Sequence, residues 1–173
     1  MRIYRLPAVS REAIKLVDLE TRLDENYLTD LAGKYTRENQ ELALWVYRLG
    51  EERGEQYKGV VARTFVSSLR LFEKQLEADA GSAVCLPLVD AGTIEDVSAE
   101  HDRDRDFLEA LEEKYQGSNS EMVDWLDRLT KSACKECGDT AIYTALMVWR
   151  FLEHRIEKDN TKRDQSIGYE IWP

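Results

Sequence analysis

The chain has 173 residues, of which 43% are apolar and 34% are charged, a balance typical of a folded protein and not of a disordered one. Its net charge is −10, no apolar stretch reaches the roughly 18 to 20 residues that span a bilayer, and the N-terminus has no secretory signal pattern. We therefore expect no membrane span and a cytoplasmic location, where the three cysteines stay reduced.

Apolar residues recur at spacings of three and four along nearly the whole chain, which predicts helices. In the first half we predict one helix from Ser10 to Gly33, one that Thr36 caps, and a long one over about 55–80. Gly54 loosens or breaks the chain before the long helix, and Gly81 stops it. We find no internal repeat.

The second half begins with a predicted loop over residues 83–92, where Pro87 disfavours a helix. A helix that ends at Gly117 follows, then one with Ser118 in a capping-box pattern. The last helix contains Thr140–Leu152, which is apolar on every side apart from one arginine. A helix of this kind is surrounded by other helices, so we expect it to be the central helix of the fold.

The predicted fold is therefore all-α, a single-domain helical bundle of five to seven helices over residues 1–173. Strand-forming residues near both ends, within 1–9 and 159–173, predict extended arms or a short ribbon that pairs the termini. The exception in the central helix is Arg150. We favour a side chain that runs along the helix to reach water over a buried pair with an acidic residue.

Cys134 and Cys137 form the only pattern that names a chemistry, because thiolates at this spacing can share a metal ion or exchange disulfides. A zinc site needs a second pair of ligands, and redox motifs usually lie beside a βαβ unit; neither is evident. We therefore favour a corner between helices with buried cysteines, Gly138 in a left-handed conformation and Asp139 as the next N-cap. A metal or redox module stays the alternative, and we predict no metal or cofactor.

Two acidic motifs, Glu51–Glu55 and Glu121–Asp124, resemble the magnesium-binding helices of all-α nucleotide pyrophosphohydrolases. Carboxylates at helical spacings project from one face and suit a hard cation. In that family the two motifs lie much closer along the chain, and 34 acidic residues produce such patterns by chance. A magnesium-dependent nucleotide pyrophosphohydrolase is thus an alternative, against two solvated helix faces.

The segment Asp90–Glu113 holds ten acidic and two basic side chains, a net charge of −8. Its plainer interpretation is a solvated face, and its functional one is a docking surface for a basic protein partner. Direct binding to a nucleic-acid backbone through this segment is disfavoured, since phosphates need Lys and Arg. The candidate partner-binding residues are seven acidic side chains and an aromatic anchor near the C-terminus: Asp90, Glu95, Asp96, Glu100, Asp102, Asp104, Asp106 and Trp172.

Two histidines and the absence of nucleophile or phosphate-loop motifs leave little for catalysis, so we predict no catalytic residues. We predict a non-enzymatic protein that acts by macromolecular contact, as a subunit, adaptor or inhibitor. The stretch Tyr143–Phe151, with Trp149 followed by Arg150, resembles the last helix of the small helical subunit of type III CRISPR effector complexes. The resemblance implies a subunit of a nucleoprotein assembly. The acidic segment also fits the opposite role, a nucleic-acid mimic that inhibits such an assembly.

Overall fold

The structure is a computed structural model that describes residues 3, 5–82, 84–131 and 134–167. Within these residues it contains eight α-helices and no strand, so the all-α prediction is confirmed and the predicted five to seven helices is too few. None of these helices is both long and apolar enough to cross a membrane. The helices are α1 Arg11–Leu23, α2 Tyr27–Glu38, α3 Gln40–Arg53, α4 Glu55–Ala80, α5 Ala91–Arg103, α6 Phe107–Ser118, α7 Ser120–Lys131 and α8 Lys135–Ile167.

One extra helix arises because the predicted helix from Ser10 to Gly33 is two helices, α1 and α2, and another because two helices, α5 and α6, precede α7 where one is predicted. Ser10 caps α1 as predicted, its hydroxyl accepting from the N–H of Ala13. The helix ends at Asp24, whose side chain accepts from the N–H of Asn26 and so supports a turn. The long helix over 55–80 is confirmed as α4.

The eight helices form two copies of one four-helix unit, and the expectation of no internal repeat is wrong. Unit one comprises α1–α4 and unit two comprises α5–α8, and each helix of unit two begins 80 positions after its counterpart. Without a gap, residues 6–79 match residues 86–159 at 21 of 74 positions. The shared residues, in unit one, are Leu6, Pro7, Val9, Ile14, Val17, Glu20, Asp24, Leu28, Leu31, Lys34, Tyr35, Asn39, Glu41, Trp45, Arg48, Leu49, Thr64, Arg70, Glu73, Glu77 and Asp79.

The last helices of the two units, α4 and α8, pack against each other, and their buried side chains belong to one apolar cluster with those of the helices around them. Trp149 is fully buried between the units: its Nε1 donates to Ser68 Oγ at 3.1 Å, and its ring meets Phe72 edge-on. Thr140–Leu152 is largely buried, as its composition predicts. The central position is nevertheless shared, because α4 occupies the equivalent place in unit one.

A short extended segment precedes each unit, and each segment is held by the other unit. We call residues 6–9 and 86–89 the straps; both read Leu-Pro-x-Val. Asn39 of unit one binds the strap of unit two, and Asn119 of unit two binds the strap of unit one. The hydrogen bonds are Asn39 Nδ2 to Pro87 O (3.0 Å), Val89 N to Asn39 Oδ1 (3.1 Å), Asn119 Nδ2 to Pro7 O (2.8 Å) and Val9 N to Asn119 Oδ1 (2.9 Å).

The corner before α8 differs from its prediction. Gly138 and Asp139 both lie inside α8, and positive φ among the described residues occurs only at Gly54 and Gly81. The turn lies earlier in the chain, ahead of Lys135, so no left-handed glycine is needed after the cysteines. Residues 159–167 of the predicted C-terminal arm are helical and belong to α8, so the arm prediction is wrong there, and residues 5–9 form no strand. Residues 1, 2, 4 and 168–173 lie outside the described part of the chain.

Candidate functional site

Arg150, the single charge in the central apolar stretch, is held by carboxylates, so the buried-pair alternative is correct. Its side chain is 12% exposed and contacts Glu100, Glu153 and Glu157 at 3.0–3.3 Å. Burial alone would lower the pKa of Arg150, but the hydrogen bonds to Glu100 and Glu157 outweigh it and raise that pKa above its ordinary value. This group is the arginine cluster of unit two.

The same cluster exists in unit one, 80 positions earlier. Arg70 is also 12% exposed and contacts Glu20, Glu73 and Glu77 at 3.0–3.5 Å. In both units a tyrosine hydroxyl donates to the central glutamate, Tyr35 to Glu73 at 2.8 Å in unit one. Because both units keep the cluster, we assign it to the fold: it fastens the first two helices of each unit to the last.

Three of the seven acidic candidates form ion pairs with basic side chains of α8. Their charge is therefore balanced within the chain, which lowers their value for a partner. A hydrogen bond from Lys158 holds the pKa of Asp96 below its ordinary value, with a second contribution from His154. The pairs are Asp90 with Arg155, Asp96 with Lys158, and Glu100 with Arg150.

The remaining acidic candidates lie free of those pairs on the outside of unit two. Glu95 is exposed on α5. Asp102, Asp104 and Asp106 are exposed around the α5–α6 turn, next to exposed glutamates of α6. Trp172 lies outside the described residues. We define the acidic patch as Asp102, Asp104, Asp106, Glu109, Glu112 and Glu113.

Unit one carries a different surface, which overlaps the position of the acidic patch only at Ala32, the counterpart of Glu112. Helices α2, α3 and α4 enclose a mostly apolar groove of about 200 Å³, with Tyr47 on its rim. Four small residues that line the groove have larger counterparts in unit two. The counterparts are Glu112 for Ala32, Val123 for Ala43, Thr130 for Gly50 and Ile142 for Ala62. The two units thus share the arginine cluster and the strap contacts, and they differ in their outer surfaces.

The two cysteines of the Cys-x-x-Cys pattern are not the buried pair that the sequence predicts. Cys134 is exposed immediately before α8, and Cys137 is half-buried in its first turn. Their Sγ atoms lie 2.6 Å apart, and the N–H of Cys137 donates to Cys134 Sγ at 3.3 Å. Neither thiol therefore fills the core, which removes the packing reason for these residues.

The structure does not unite the acidic motifs proposed for magnesium. Glu51 and Glu55 both pair with Lys58, whereas Glu121 pairs with Arg11 from the other unit. Among the described residues, no group of three or more His, Cys, Asp or Glu side chains is arranged to hold a metal ion. Glu51, Glu55 and Glu121 therefore form ion pairs within the chain.

Sequence reasoning missed the arginine clusters and the groove. The signal for the first is printed twice in the sequence, as Arg-x-x-Glu-x-x-x-Glu from Arg70 and again from Arg150. The signal for the groove lies in the alignment of the two units, where small residues of unit one stand opposite larger residues of unit two. The chain matches no known protein-family model, no curated protein and no solved structure.

Proposed function

We propose that the protein is a non-enzymatic cytoplasmic binding protein, a subunit, adaptor or inhibitor, whose acidic patch docks a protein partner with a basic surface. One observation supports the proposal: the two units share the arginine cluster and the strap contacts, yet unit two carries an acidic patch and unit one carries an apolar groove. Because each unit has the fold without the surface that the other unit carries, the fold itself requires neither the patch nor the groove.

The acidic patch has the electrostatic character of a docking surface. In unit one, the residues equivalent to Glu109, Glu112 and Glu113 are Thr29, Ala32 and Gly33, so the fold accepts neutral side chains there. The patch has six exposed carboxylates against the two exposed arginines Arg103 and Arg105, and this negative excess attracts a basic surface. Such a patch accelerates encounter with a basic partner and discriminates against acidic ones.

The apolar groove supplies what the patch lacks, a desolvated contact. Its volume suits one apolar side chain of a partner, and its walls are helices held rigidly by the core. Buried apolar anchors carry most of the free energy of many interfaces, whereas exposed charges mainly set rate and specificity. The two surfaces together fit a partner that presents an apolar anchor and a separate basic face.

We expect the triple replacement Asp102→Asn, Asp104→Asn and Asp106→Asn to weaken partner binding roughly tenfold at physiological salt, at about 0.5 kcal/mol per exposed charge pair. The partner is first identified by affinity purification from native cells, and its dissociation constant is then measured by titration at several salt concentrations. The control replaces Glu12, Asp18 and Glu25 of unit one, all exposed, with the corresponding amides. Equal weakening by the control would contradict the proposal, because only net charge would then matter.

The groove is tested by giving it the side chains of unit two. The double replacement Ala32→Glu and Ala62→Ile is expected to block the anchor while changing the free energy of unfolding by less than about 1 kcal/mol. The same two side chains already occupy the equivalent places in unit two. Unchanged partner affinity in a folded variant would show that the groove is not used, and would leave the acidic patch to be judged by its own variants.

A further inference from the structure

The thiol pair Cys134 and Cys137 lies where both reactivity and access favour disulfide exchange. Cys134 is exposed at the N-terminal end of α8, a helix of 33 residues, and accepts the backbone N–H of Cys137. The positive end of a helix dipole and a donated N–H both stabilise a thiolate, and the thiolate is the reacting form of cysteine.

The repeat shows that the corner does not need these cysteines. The equivalent residues of unit one are Gly54 and Tyr57, at the start of α4. There the N–H of Tyr57 donates to the carbonyl of Gly54 at 2.9 Å, and no sulfur is involved. Because unit one begins its last helix without thiols, a structural role fails to explain why unit two has two of them in contact.

The two thiols also differ in the way that exchange requires. Cys134 is open to solvent and suited to attack, whereas Cys137 is half-buried behind it and suited to resolve. The hydrogen bond with Cys134 raises the pKa of the Cys137 thiol above its ordinary value. With only two thiols and no further ligand group nearby among the described residues, a metal ion would lack a complete coordination set.

We propose that Cys134 and Cys137 are a redox dithiol that exchanges with disulfides of the glutathione class. The Cys134 thiolate attacks one sulfur of the disulfide, forming a mixed disulfide and releasing one glutathione thiolate. Cys137 then loses its proton, and its sulfur attacks Cys134 Sγ and releases the second glutathione thiolate. The two protons of the protein thiols end on the two glutathiones. The protein gains one disulfide, and the oxidised glutathione is reduced to two thiols.

The test incubates the protein with defined ratios of reduced and oxidised glutathione, traps free thiols with an alkylating reagent and measures intact mass. The expected product lacks two hydrogens and retains a single alkylated cysteine, Cys85, which is exposed and serves as an internal reference. The variant Cys137→Ser is expected to accumulate a stable glutathione adduct at Cys134, because it cannot resolve the mixed disulfide. The variant Cys85→Ser is expected to cycle normally.

Two outcomes would overturn the proposal. One is equal alkylation of all three cysteines at every glutathione ratio. The other is adduct formation by Cys137→Ser at no higher level than at Cys85, which would indicate ordinary surface thiols. Circular dichroism of each variant verifies that α8 is intact, so a folding failure is recognised. The dithiol proposal does not depend on the acidic patch, because neither the thiol-trapping measurement nor the circular dichroism involves a binding partner.

Discussion

Arg70→Met is expected to lower the free energy of unfolding by about 3 kcal/mol, as expected when one partner of a buried ion pair is removed. Methionine keeps the apolar stem but removes one of the two cations that pair with Glu73, whose side chain is 5% exposed, and leaves Lys34 as the other. Arg150→Met is expected to cost somewhat less, about 2 kcal/mol, because Glu153 is 17% exposed and is better solvated. Urea denaturation followed by circular dichroism measures both values.

The loss in the free energy of unfolding arises from the carboxylates that no longer pair with the arginine. In the native protein burial alone would lower the pKa of Arg70, but the hydrogen bonds with Tyr27 and Glu77 raise it above the ordinary value, so the guanidinium stays charged. Without that charge Glu73 keeps Lys34 and Glu20 keeps Lys74, but both carboxylates lose the guanidinium in a poorly solvated place. This weaker pairing costs free energy at neutral pH.

The matched control is Arg155→Met. Arg155 lies on α8, as Arg150 does, and its carboxylate partners Asp90 and Asp159 are 50% and 42% exposed. We expect it to cost at most about 1 kcal/mol, as exposed ion pairs do. If Arg70→Met and Arg150→Met cost no more than this control, the clusters would be ordinary surface pairs. The alternative in which the stem of Arg150 merely reaches water would then be correct.

The fold class follows from the sequence because apolar periodicity is a local signal. α4 is predicted at its observed bounds, since Gly54 and Gly81 mark both ends in the sequence and take positive φ in the structure. The break between α1 and α2 is harder to predict. Leu23, Tyr27 and Leu31 continue a helical spacing across it, and only the turn-forming side chain of Asp24 interrupts the chain.

The repeat is present in the sequence but is hard to detect there, for a physical reason. The shared residues are mostly single positions that face the core or the arginine clusters, so few are adjacent in the chain. The longest local signal is Lys-Tyr at Lys34 and Lys114, followed by an asparagine, a glutamate and a tryptophan at the same spacings. The solvent-facing positions between them differ, and these dominate a residue-by-residue comparison.

The candidate site could be predicted only in part. Charge density correctly indicates an acidic outer surface, but it does not separate Asp96, which Lys158 neutralises, from Asp102, which is exposed. That distinction depends on which face of α5 meets α8, a matter of tertiary packing. The exposure of Cys134 is equally hidden, because cysteine is most often buried and a prediction from residue type follows that tendency.

Replacing both strap-binding asparagines, Asn39→Ala with Asn119→Ala, is expected to lower the free energy of unfolding by about 4–6 kcal/mol. Each asparagine is less than a tenth exposed and makes two hydrogen bonds to a strap. Its loss leaves a buried N–H and a carbonyl without partners, at about 2–3 kcal/mol for each asparagine. The single variants are expected to add in the double variant, since the two asparagines share no partner.

The number of unfolding transitions tests the role of the straps more directly than the midpoint of unfolding does. Each strap belongs to one unit and is held by the other, so neither unit has a complete set of contacts when its neighbour is unfolded. We therefore expect one cooperative transition for the wild type and for every variant, monitored by circular dichroism and by tryptophan fluorescence, in which Trp149 at the contact between units is one of four emitting residues. Asn39→Asp keeps the acceptor for Val89 but places a buried carboxylate oxygen against the carbonyl of Pro87, so it is expected to cost at least as much as Asn39→Ala. Two separate transitions, with Asn39→Ala shifting only one of them, would show that the units are independently stable domains and that the straps merely lie between them.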